Sequence, residues 1–178
     1  GVTITSNLSG SYNAAVDAMH LFAENHPDKH CHIVDTLTAG PEQDLCVEKL
    51  QELMLEGKSF EDIRSEISEY IKSTHLLFSL ESLKNLANNG RTSQVVAAMA
   101  GILGIRLVGK ASDHGTLEPM HKCRGEKKAL ETIYKEMQLN GYAGGRVRIG
   151  HSLNLNAAET LKTMILKDHP NADITIID

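Results

Sequence analysis

Residues 5–19 read TSNLSGSYNAAVDAM. The short apolar run Gly1-Val2-Thr3-Ile4 precedes them and an alanine-rich segment follows, so the stretch lies where a strand hands over to a helix. A structural turn at such a point needs one N-cap residue and at most one glycine. Residues 6–11 hold three serines, an asparagine and a glycine, more hydroxyl groups than turn geometry requires. Strand, polar loop and helix in that order leave backbone N–H groups free at the positive helix end, which suits an anion. Ser9 and Ser11 can add hydroxyl donors. Capping by Ser9 or Ser11, with Gly10 as a turn residue, accounts for the same residues, and the stretch alone leaves both readings open.

Outward from this loop, strands and helices alternate. Val2 to Thr5 reads as a strand and Ser11 to Glu24 as a helix with Ala14, Ala15, Ala18, Leu21 and Phe22 toward one side. CHIVDT (31–36) reads as a second strand. Helices are expected over about 41–56, with Pro41 in the first turn, and 59–72, where Ser59-Phe60-Glu61-Asp62 resembles a capping box. HLLFSL (75–80) reads as a strand, 81–88 as a short helix ended by Asn88-Asn89-Gly90, and 93–103 as an alanine-rich helix. IRLVG and TLEPMHKC form a hairpin across Asp113-His114-Gly115, before helix 124–139, strand 146–151, helix 154–168 and strand 173–177. The pattern predicts an α/β protein of two lobes with mainly parallel sheets flanked by helices, plus one antiparallel hairpin. A boundary near 73–75 divides the chain into lobes of 1–73 and 74–178.

With 178 residues, 41% of them hydrophobic and 23% charged, the chain can bury a real core. Its net charge of −5, without a block of like charges, gives no footprint for nucleic acid or an anionic membrane. No apolar run reaches the roughly 18 residues of a membrane span, so stable insertion is not expected. Three scattered cysteines (Cys31, Cys46, Cys123) fit a reducing compartment, and the expected location is the cytoplasm. The first residue is Gly1, which suggests a fragment or a processed form.

Catalytic vocabulary is sparse. G-x-S-x-G, H-E-x-x-H, the Walker loop and G-x-G-x-x-G are all absent, which lowers the expectation of a hydrolase, zinc protease, P-loop kinase or dinucleotide enzyme. Among nine histidines, His30 and His32 share one strand face, and His121 and Cys123 share another. No C-x-x-C pair accompanies them, and ordinary surface or core histidines are expected and no metal.

Several segments together carry a resemblance. TSNLSGSYNAA is similar to the Ser-Ser-x-Leu-Ser-Gly-Thr-Tyr segment of the DegV family of bacterial fatty-acid-binding proteins. VDT (34–36), FSLESLKNLANNGRTS (78–93) and GTLEPMHKCRGEKKAL (115–130) resemble that family's Val-Asp-Ser, Asp-Asp-Leu-x-x-Leu-x-x-Gly-Gly-Arg-Ile-Ser and Lys-x-Arg-x-x-Lys-Lys-Ala signatures. Order and spacing agree along essentially the whole chain.

The resemblance implies a two-domain α/β carrier, not an enzyme, that holds one long-chain fatty acid with its acyl chain in an apolar tunnel and its carboxylate at a loop. The carrier then presents the acid to a separate fatty acid kinase and needs no cofactor of its own. Residue by residue, Ser9 matches the serine that hydrogen-bonds the carboxylate, with Ser6 and Gly10 in the same motif. Neutral hydroxyls and backbone N–H groups can hold a carboxylate without burying a cation beside the acyl chain. Arg91 matches the Gly-Gly-Arg arginine and Arg124 the arginine before Lys127-Lys128; the resemblance implies partner or phosphate contact for both, and surface ion pairing accounts for both equally well.

The chain departs from the pattern in places. Asn89 replaces the first glycine of Gly-Gly-Arg, and Asn tolerates positive φ best among the others. Ser11 replaces threonine, and TLTAGPEQD (36–44) lacks much of the family's glycine-rich pattern. The family's Asp-Ser-Thr, Thr-Ser-Gln-Pro and His-Thr-Gly-Pro-Gly motifs do not occur, so the sequence reads as a fragment. An alternative function is a small phosphate-handling transferase related to dihydroxyacetone kinase subunits, with SNLSG gripping phosphate. Such an enzyme needs a metal-binding carboxylate cluster or a nucleophilic histidine, and Asp35 is the only nearby candidate.

Overall fold

The computed structural model describes residues 1–82, 88 and 104–178. Residues 83–87 of the expected helix at 81–88, all of that at 93–103, and Arg91 lie outside the described residues. The chain divides into two compact units, Gly1–Leu76 with Ala111–Thr116, and Leu77–Lys110 with Leu117–Asp178.

In the first unit, β1 (Val2–Thr3) and β2 (Val34–Asp35) pair in parallel, Val2 opposite Val34 and Thr3 opposite Asp35. Helix α1 (Ser11–Asn25) lies between them in sequence, and α2 (Pro41–Leu55) and α3 (Phe60–Ile71) follow. Helix α2 starts as its sequence demands: Gly40 turns the chain at φ 64°, Pro41 opens the first turn, and Glu42 and Asp44 face the helix dipole. Ser59 caps α3 by accepting the Asp62 N–H, while its own hydroxyl donates to the Asp62 carboxylate, a variant of the expected capping box. Val34, Cys46 and Ile67 form the buried core, with Val2, Leu50, Tyr70 and Ile71 packed against them.

Helix α1 differs from the expected pattern. None of its residues is buried; Tyr12, Ala15, Val16 and Met19 form its half-buried stripe, while Leu21 and Phe22 are 63% and 42% exposed. Ala14 and Ala18 are also exposed. In an alanine-rich helix the apolar residues span so much of the circumference that periodicity does not single out one face.

The second unit contains a three-stranded sheet ordered β3-β4-β5 (Leu77–Leu80, Ile105–Ala111, Leu117–Arg124). The expected hairpin is β4 and β5; β3 joins it antiparallel, running from Leu77 opposite Lys110 to Leu80 opposite Leu107. A parallel pair follows, β6 (Arg146–Gly150) with β7 (Asp173–Ile177). Between these strands run α4 (Glu126–Leu139) and α5 (Leu155–Asp168). Helix α4 begins at Glu126 because Gly125 adopts φ 79° as its N-cap. Ala129, Leu130 and Ile133 of α4 and Ala158, Leu161 and Ile165 of α5 recur at helical spacing and close the core over Val108, Cys123 and Ile149. Each large side chain among them contributes about 1.5–3 kcal/mol by burial.

Gly109 lies opposite Phe78 on β3. A Cβ at this position would run into the Phe78 ring and the Glu118 carbonyl oxygen, so the ring crosses bare backbone that only glycine leaves open.

Candidate functional site

The serine-rich stretch leaves β1, turns over residues 5–10 and enters α1. Thr5 is fully buried and organises the turn. Its N–H donates to the Thr38 carbonyl at 2.8 Å, its carbonyl accepts from Leu8 N at 3.1 Å and Ser9 N at 3.2 Å, and its hydroxyl oxygen accepts from Asn7 N at 3.2 Å. Asp35, at the end of β2, holds the next residue: the Ser6 N–H lies 3.2 and 3.3 Å from its two carboxylate oxygens, and Oδ1 also accepts the Leu37 N–H at 3.1 Å. On the other side, Asn7 donates its side-chain amide to the His114 carbonyl. There the 112–116 turn comes so close that a side chain on Gly115 would strike Thr5 Oγ1, and the glycine takes φ 73°.

After these commitments a specific set of donors remains. Ser9 Oγ accepts the Ser11 N–H at 3.2 Å, so its oxygen serves the turn while its own proton is still available to donate. Serving the turn therefore leaves the donor half of this hydroxyl uncommitted. Gly10 is the N-cap of α1 and contributes no side-chain bond. The N–H groups of Gly10, Tyr12 and Asn13, and the Ser6 hydroxyl, have no partner among the described residues. The first turn of α1 carries no acidic residue, unlike those of α2 and α3, so no carboxylate of its own competes for the positive end. The arrangement can grip a small anion through neutral donors.

Beside the loop, in the same unit, lies a cavity of about 360 Å³ lined among others by Thr36, Leu37, Glu42, Ile71, Leu76 and Ser112. Thr36 and Thr38 are buried, and the Thr38 hydroxyl donates to the Glu42 carboxylate. Leu37 takes φ 54°, unusual for a branched side chain, and its N–H is one of the two that Asp35 accepts.

Of the residues singled out in the sequence, Ser6, Ser9 and Gly10 fall together in this loop. Arg124 ends β5 in the second unit, exposed and without an ion pair among the described residues. Sequence reasoning named Asp35 only as the nearby carboxylate a transferase would need, and did not assign Asp35, Asn7 or Gly115 to holding the loop. Asp35 lies 29 residues from Ser6 and His114 lies 107 from Asn7, separations at which no local pattern signals contact. Among the described residues no group of three or more His, Cys, Asp or Glu side chains gathers as a metal site. His30 stacks on Phe60 at 5.1 Å and His121 pairs with Glu136 at 2.8 Å. No helix among the described residues is long and apolar enough to cross a membrane.

Against known families, residues 1–178 match the one described as "Uncharacterised protein, DegV family". A DegV domain-containing protein of Streptococcus pneumoniae is 45% identical over 176 residues, covering 99% of this chain and 63% of that protein. Among solved structures, the Streptococcus pneumoniae fatty acid kinase (Fak) B3 protein loaded with linoleic acid matches with a TM-score of 0.95 at 45% identity, over 99% of this chain and 63% of that one. A DegV family protein of Eubacterium eligens loaded with heptadecanoic acid gives 0.93 at 42% identity, over 98% and 63%. A third, from Ruminococcus gnavus and refined with vaccenic acid, gives 0.91 at 28% identity, over 99% and 64%. The chain thus spans somewhat under two thirds of the length of these relatives.

Proposed function

The chain belongs to the DegV family, and from that premise we propose that it forms the carboxylate-gripping part of a carrier that binds one long-chain fatty acid and presents it to a separate fatty acid kinase. The single observation that carries this reading is the residual chemistry of the 5–10 loop. Ser9 offers a hydroxyl proton, and free N–H groups of Gly10 and the first turn of α1 lie nearby, with no cation among them. Such a set suits a carboxylate whose tail must stay in apolar surroundings, because neutral donors satisfy the charge without a second buried ion. Relatives at 42% and 45% identity were crystallised with heptadecanoic and linoleic acid, which supports the same ligand class here.

The protein acts as a carrier rather than an enzyme, in the cytoplasm where its kinase and ATP are found. In this reading residues 1–73 belong to the lobe bearing the carboxylate loop and residues 74–178 to the second lobe. Arg124, exposed at the end of β5 beside Lys127, faces the kinase, and Arg91 has the same role. Native mass spectrometry of the full-length protein purified from bacteria, compared with its denatured mass, tests the proposal. An excess mass equal to a fatty acid is expected. A bound nucleotide would favour the phosphate-handling transferase, and no excess mass would overturn the carrier.

A further inference from the structure

We propose that Asp35 is the positioning residue of the carboxylate loop, an inference that rests on the carrier reading above. Its carboxylate accepts two backbone N–H groups from separate segments, Ser6 of the loop after β1 and Leu37 of the loop after β2. The first bond fixes the start of the turn from which Leu8 and Ser9 fold back onto the Thr5 carbonyl. The second holds Leu37 at a left-handed φ of 54°, a conformation that a leucine keeps only when its surroundings enforce it.

Asp35 also decides which donors remain. By taking the Ser6 N–H it removes the donor nearest β1, leaving the Ser9 hydroxyl and the N–H groups of Gly10, Tyr12 and Asn13 as the set that meets a ligand. Its charge is answered by those two amides, so it supports the loop from behind rather than touching the fatty acid. This gives the residue a use different from the metal-binding carboxylate that a phosphoryl-transfer enzyme would need.

The test compares palmitate with methyl palmitate, each competing with a fluorescent acyl probe on the full-length protein. A residue that only stabilises the fold affects acid and ester alike, whereas one that aims the donors affects the acid alone. Asp35→Ala is expected to weaken palmitate at least about tenfold, the scale of a lost hydrogen bond to a charged group, while methyl palmitate stays within about twofold. Asp35→Asn keeps Oδ1, which accepts both amides, and should hold palmitate within about threefold. If Asp35→Ala does not fold, Asp35→Ser takes its place, since its shorter side chain cannot reach both amides. Equal losses for acid and ester, or no loss for the acid, would overturn the assignment of Asp35. A wild-type protein that does not prefer acid to ester would overturn the carboxylate reading itself, and this inference with it.

Discussion

Replacing Ser9 with alanine separates two functions that share one oxygen. The hydroxyl oxygen accepts the Ser11 N–H at 3.2 Å, and its loss removes an acceptor from the entry to α1, costing about 1 kcal/mol, the usual scale for a helix-end cap. That loss stays local, because α1 buries no residue in the core. The hydroxyl proton is the donor assigned to the carboxylate, and a hydrogen bond to a charged group contributes about 1.5–3 kcal/mol, or roughly ten- to a hundredfold in Kd. An acyl chain of about fifteen methylenes contributes on the order of 10 kcal/mol before ordering costs, so binding survives. Ser9→Ala should therefore bind a long-chain fatty acid roughly ten- to a hundredfold more weakly, and phosphorylation of the bound acid should suffer more than binding. Ser9→Thr, which keeps the hydroxyl, should restore most of both. Calorimetric titration below the micellar concentration reads affinity, and urea unfolding reads stability separately. Unchanged affinity in folded Ser9→Ala would refute the reasoning.

Three further outcomes are expected. Arg124→Ala should leave stability and lipid affinity unchanged while slowing phosphorylation of the bound acid in a coupled kinase assay, because the side chain is exposed and unpaired among the described residues; loss of lipid binding would contradict it. Gly109→Ala should cost about 1–3 kcal/mol in urea unfolding, the range for overpacking, and adding Phe78→Ala should not restore it fully, since the Glu118 carbonyl still blocks the new methyl group. Burial first, and the Arg64 guanidinium second, hold the His32 imidazole below its ordinary value of 6.5. Protonation thus favours the unfolded chain: stability is highest above that value and declines as pH falls from it toward the lowered folded value. His32→Gln should flatten this part of the stability profile, as read by denaturant midpoints across pH.

Much of this arrangement is written locally. Pro41, Ser59 and Gly125 set the starts of three helices through rules that involve only neighbouring residues, and the serine-rich loop stands out by an excess of hydroxyls over what a turn requires. Gly125 also shows the limit, because an expectation of a helix from residue 124 passes over the positive φ that delays it to Glu126. The half-buried face of α1 was not legible, since the distribution of its apolar residues admits more than one stripe and only packing chooses between them. Nor was the support of the loop, because Asp35 and Gly115 look like any strand-end aspartate and turn glycine until the fold brings them to Ser6 and Thr5.

The bond from Asn7 to the His114 carbonyl spans 107 residues. On a ribosome the serine-rich loop is made first, and its outer brace is not synthesised until more than a hundred residues later. At about 5–20 residues per second, the loop waits roughly 5–20 s for that partner. During this interval Asp35 and Thr38 are already available to hold its inner side, whereas the face toward Asn7 is open. The loop's outer brace thus forms only after residue 114 is made, so a nascent chain halted before residue 114 carries every serine of the motif without the finished loop.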